Sequence, residues 1–168
     1  MDNEILGWIR ENTGKWFTSA RKTVFNSPKI LDFRINKINI SKQQVSMSFK
    51  DGTQNFLLDF WMFDRIIHRL DNIQGYVMIG ARLQPPYPKG SLEEAVWTKP
   101  YPRDTSEKKV SPHICDILNH YGTVSYGYTK NPTTGKRVQG AKKRGFWSVV
   151  SCERECKNKR CYRKNHRH

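Results

Sequence analysis

Residues 30–70, ILDFRINKINISKQQVSMSFKDGTQNFLLDFWMFDRIIHRL, carry the pattern on which the fold class turns. Leu31, Phe33 and Ile35 keep a period of two, and Val45, Met47 and Phe49 repeat it, with Ser41-Lys42-Gln43 and Asp51-Gly52 as turns. This alternation predicts an antiparallel meander of three strands over residues 30–58, apolar on one face and in need of a cover there. Residues 60–70 supply one. Phe60, Trp61, Phe63, Ile66, Ile67 and Leu70 recur at helical spacing, so a helix is expected to bury Trp61 and Phe63 against the sheet, while Asp64, Arg65, His68 and Arg69 point elsewhere. The expected class is α+β, a small antiparallel sheet covered by helices.

Toward the N-terminus, residues 4–12 read as a short helix with Ile5, Trp8 and Ile9 on one face, ended by Asn12-Thr13-Gly14. Aromatic and basic residues mix in the next stretch, where Trp16 and Phe17 are either stacking platforms for bases or partly core. Beyond the meander, residues 75–83 read as a buried strand or part of a helix. Pro85, Pro86, Pro88, Pro100 and Pro102 then mark a connection, within which Ser91 and Glu94 form a capping-box pattern that predicts a helix over residues 92–98.

Ser111-Pro112 gives an N-cap followed by a proline in the first turn, and Ile114, Cys115, Ile117 and Leu118 make an apolar stripe closed by Gly122. Cys115 therefore reads as core, while His113 and His120 are less committed and have only a loose spacing for metal ligands. Alternation on either side of Asn131-Pro132-Thr133-Thr134-Gly135 predicts a hairpin whose tip carries Lys130, Lys136 and Arg137. Helix, linker, second helix and basic hairpin, over residues 91–141, resemble the end of a winged helix-turn-helix in element order. That resemblance implies a second helix in the major groove and a wing on phosphate or minor groove. The organisation expected is an α+β core over 1–84, a proline-rich connection over 85–110, a winged-helix-like unit over 111–150 that is separate from or continuous with the core, and a basic Cys/His tail over 151–168.

Charge gives the functional direction. Of 30 Lys and Arg and 15 Asp and Glu in 168 residues, 13 basic but only 2 acidic residues fall in 130–168, which therefore carries +11 of the net +15. Such a segment repels itself unless a polyanion neutralises it. Lys130, Lys136, Arg137, Lys142, Lys143 and Arg144 are the expected phosphate contacts, with Trp147 beside them either stacking on a base or anchoring a last strand with Phe146. The expected partner is nucleic acid, with duplex DNA favoured over RNA, bound by a regulatory or targeting module. The alternative class is a divalent-metal nuclease. It would need converging carboxylates, but Asp32, Asp59, Asp64, Glu93 and Glu94 lack a diagnostic spacing.

Cys152, Cys156 and Cys161, with His166 or His168, have the donor types of a zinc site that would fold the tail into a cationic knob. No apolar run reaches the length of a membrane span, and Met1-Asp2-Asn3-Glu4 lacks the basic start of a secretory signal, so an intracellular location without membrane partners is expected.

Overall fold

The computed structural model describes residues 1–51, 55–80, 86–97 and 109–145. Its elements run α1 (Asn3–Glu11), β1 (Trp16–Phe17), α2 (Arg21–Val24), β2 (Phe33–Asn39), β3 (Gln44–Phe49), β4 (Asn55–Asp59), α3 (Phe60–Asp71), β5 (Val77–Met78), α4 (Leu92–Trp97), α5 (Ser111–Tyr121), β6 (Val124–Lys130) and β7 (Arg137–Lys143). Two sheets form, ordered β1-β2-β3-β4 and β5-β7-β6, and every pairing is antiparallel. This is a mixed α+β fold, and the meander is present as β2, β3 and β4.

The register explains which face of the meander is buried. Phe33 pairs with Phe49, Ile35 with Met47, and Met47 in turn with Phe56, so the inward side chains fall in rows and all are buried. Between Ile35 and Lys37 the register shifts, and Asn36 is the extra residue of a bulge. Leu31, expected to start the period-two run, precedes the strand and is exposed.

Trp61 departs from expectation. The buried face of α3 is Phe60, Met62, Phe63, Ile66 and Leu70, while Trp61 is half-buried at the rim. There its indole Nε1 donates to Asp59 Oδ2 at 3.1 Å, and its ring meets the edge of Trp97 at 6.5 Å between centroids. Met62 takes the inward position that the sequence pattern gave to the larger ring.

One buried cluster joins both sheets and all the longer helices: Ile5 and Ile9 of α1, Phe33 and Met47 of the meander, Phe63 and Ile66 of α3, Ile114 and Leu118 of α5, and Val124 and Ala141 of the second sheet. α5 runs through it and has no exposed residue. Its N-cap is Val110 rather than Ser111, and no side chain caps it locally. Glu93 of α4 does so from a distance. This fully buried carboxylate accepts from the backbone N–H groups of Val110 (3.2 Å) and Ser111 (3.1 Å), from Trp97 Nε1 (2.7 Å) and from the Ser111 hydroxyl. Four donors and the positive end of the helix dipole face this carboxylate and offset the cost of its burial. At the other end, Gly122 in the left-handed region (φ 104°) lets Thr123 N–H return to Leu118 O at 3.0 Å.

Asp116, also buried, gathers three segments. Arg21 grips it in a forked pair (Nε to Oδ1 3.0 Å, Nη2 to Oδ2 2.5 Å), while the Ser19 hydroxyl at 2.6 Å and the Tyr126 hydroxyl at 2.7 Å donate to Oδ1. Burial alone would lower the Arg21 pKa, but the Asp116 carboxylate outweighs it and holds the guanidinium charged. Burial and the same carboxylate push the Tyr126 phenol well above its usual range, so it remains a donor.

Candidate nucleic-acid interface

The β6–β7 ribbon contains six basic residues and no acidic one over residues 124–144. Its root is buried through Val124, Tyr126 and Ala141, whereas Tyr128, Lys130, Lys136, Arg137, Lys143 and Arg144 are exposed and Lys142 is half-buried. The tip is built by Asn131, whose side-chain oxygen accepts from the N–H groups of Thr133 (2.8 Å) and Thr134 (3.1 Å), while Gly135 at φ 66° returns its N–H to Asn131 O at 2.8 Å. A tip fixed by its own backbone holds its cations at defined positions.

Within the ladder Lys130 lies directly opposite Arg137. Like charges at a cross-strand pair disfavour the sheet that carries them. Arg137 relieves part of this by laying its guanidinium over the Tyr128 ring, 3.6 Å from the centroid, and Phe25 supports that ring at 5.2 Å in an edge contact. Lys130 and Lys136 make no ion pair among the described residues. Lys143 and Lys142 are more committed: Lys143 Nζ pairs with Asp71 at 2.5 Å, and Lys142 Nζ stands 4.8 Å from the centre of the Tyr76 ring.

Tyr76 fills a place the sequence analysis did not assign. Gly127 and Gly140 are partners in the ladder, and a Cβ on Gly127 would collide with the Tyr76 ring, while one on Gly140 would come within 3.1 Å of Tyr76 Cβ. The paired glycines make a flat saddle for the aromatic ring. Two glycines inside strands were the available signal, since an interior strand glycine marks a close approach.

The zinc expectation is corrected. Among the described residues no group of three or more His, Cys, Asp or Glu side chains is placed to hold a metal ion, and the expected ligands Cys152, Cys156, Cys161 and His166 lie outside those residues, as does Trp147. The described candidates are spent on packing. Cys115 is a fully buried free thiol whose pKa burial pushes up, and His113 is wedged between Phe49 and Phe56. Of the carboxylates weighed for a nuclease, Glu93 caps α5, Asp59 binds Gln44 Nε2 at 2.8 Å and the Trp61 indole, and Asp64 and Glu94 line one pocket beside His68. Among the described residues no helix is long and apolar enough to cross a membrane.

Compared with protein-family models, with curated proteins and with solved structures, the chain finds no match in any of the three.

Proposed function

We propose that this chain binds nucleic acid, favouring a duplex, and that the β6–β7 ribbon is the element that grips the phosphate backbone. The observation that carries the reading is the cross-strand pair Lys130 and Arg137 on an exposed ribbon without a single acid. Two cations held opposite each other cost stability in the free protein, and a polyphosphate laid along the ribbon offsets that cost while releasing its own counterions. A two-stranded ribbon also fits the width of a major groove.

Element order supports the same reading. α4, α5 and the β6–β7 ribbon keep the order on which the winged-helix comparison over residues 91–141 rests, and β5 joins the ribbon in a sheet ordered β5-β7-β6. The role of α5 differs from the one that resemblance implies. Its flanks are covered by Arg21, by Phe49 and Phe56 around His113, and by Phe17 and Phe33 around His120, so the wing, not this helix, is the contact element.

The test is binding of the full chain to a duplex over a salt series. Replacing Lys130, Lys136, Arg137 and Arg144 together by Ala should flatten the dependence of log affinity on log salt by about three to four units, because each lost phosphate contact removes about 0.9. Replacing the already paired Lys143 should change the slope less than replacing Lys136. A quadruple variant with the parent's slope would remove the ribbon from the interface, and a parent that fails to bind at low salt would remove the function.

A further inference from the structure

We infer that the outer face of the β1-β2-β3-β4 sheet is a second binding surface, and that its ligand is an unpaired nucleic-acid strand whose bases stack on Trp16. The inner face of this sheet is core, but its outer face is not covered in the same way: Trp16 is 47% and Leu57 60% exposed. Pairing sets Trp16 opposite Arg34, Arg34 opposite Ser48 and Ser48 opposite Asn55, a row that crosses all four strands.

Three side chains in and beside that row are held ready. Arg34 stands over the Trp16 ring, 5.1 Å from its centroid, and its Nε donates to Asn36 Oδ1 at 3.0 Å. The Ser48 hydroxyl donates to the same oxygen at 2.9 Å. With its oxygen doubly engaged, the Asn36 amide has one orientation, and among the described residues nothing accepts from its Nδ2. Asn36 follows Arg34 by two positions and so shares its face, and the bulge there sets Lys37 opposite Ser46, on the same side as Ser48. An aromatic ring, a guanidinium plane and a fixed amide donor are the groups that stack on a base and hydrogen-bond its edge.

Charge selects the ligand. Among the described residues Arg34 and the exposed Lys37 are cations on this face, whereas both oxygens of Asp59 are occupied by Gln44 and Trp61. An anionic strand with open π-faces matches those charges, and the bases of a duplex cannot reach Trp16 because they are stacked and paired. The surface is independent of the ribbon, so either can fail without the other.

Fluorescence anisotropy with short labelled oligo(U), oligo(dT) and a mixed-sequence duplex tests it on the full chain. Trp16→Ala should weaken binding to the single strands about 5- to 100-fold, the range one lost stacking partner gives, and leave the duplex within about twofold. Trp16→Phe should restore most of the loss, and Asn36→Ala should lower single-strand affinity while leaving duplex affinity unchanged. A parent that does not bind single strands, or a Trp16→Ala chain that binds them as the parent does, overturns the inference. So does an equal loss on single strand and duplex with an altered melting temperature. Sedimentation that shows Trp16→Ala dissolving a dimer, with single-strand binding intact, would give this face to a second copy of the chain and overturn it too. Loss of duplex binding in the ribbon variant alone speaks only to the ribbon.

Discussion

His113 lies between Phe49 and Phe56, with ring centroids 4.8 and 4.5 Å away, and its buried Nδ1 has no hydrogen-bond partner among the described residues. Burial lowers its pKa from 6.5 to about 4; Arg21 and Lys109 add to the shift, and Asp116 opposes it. The folded ring is therefore neutral, and protons bind the unfolded chain first. The stability tied to this neutrality is complete above pH 6.5 and is lost as the pH falls from there toward 4. Between pH 7 and 4.5 the parent should lose on the order of 2 kcal/mol through this residue alone. Urea unfolding at the two pH values checks it: His113→Phe should lose less than the parent, and equal losses would show that the ring is not held neutral. The sequence placed His113 at the start of a helix, which stands, but its neighbours come from strands more than fifty residues earlier and left no local trace. Asp116 was illegible for the same reason. One acid on a helix carries no sign of an arginine 95 positions away.

At the scale of elements, what was legible followed local rules. Period two gave β2 and β3, helical spacing gave α3 and α5, and the Ser91–Glu94 pattern gave α4, where Ser91 Oγ does accept from Glu94 N–H at 3.0 Å. The failures came where tertiary contacts overrode the pattern. The two-residue strand β1 is too short to alternate, and the Asn36 bulge interrupts the period within β2. Trp61 lost the core position to Met62, so Trp61→Ala now carries a smaller expected cost than the full-cavity range. For the ribbon, the saddle makes a direct prediction. Gly127→Val should destabilise the protein by about 1–3 kcal/mol, since the new side chain must displace Tyr76. In a Tyr76→Ala background the same substitution should cost clearly less, and additive losses in a double-mutant cycle would show that ring and glycine do not meet.

For the whole molecule the decisive connections run through α5. Glu93 fixes its start from α4, Asp116 ties it to the N-terminal segment and to β6, and His120 Nε2 stands 3.0 Å from Thr18 O. Asp116→Ala leaves the Arg21 guanidinium buried without its partner and should cost about 3–5 kcal/mol. Because that carboxylate serves both halves, a probe in the meander and one in the ribbon should show the same shifted midpoint. Separate transitions would mean that the two halves unfold independently. The candidate interface was readable from charge alone, since lysines and arginines without acids must face solvent or an anion. Its geometry was not, because Lys143 is spent on Asp71 and Arg137 rests on Tyr128, pairings that depend on register and on a neighbouring helix.

The Tyr126 hydroxyl, 2.7 Å from Asp116, also has a mechanical meaning. Under the proposed function, a nucleic-acid strand pulling on Lys130 or Arg137 would load a cantilever whose root includes this bond and whose free end is the Asn131 turn. The arm between them, at about 3.3 Å per residue, is roughly 16 Å long. Sideways force at the tip would therefore act with leverage on the buried root, in which the Tyr126 phenol lies apart from the exposed cations.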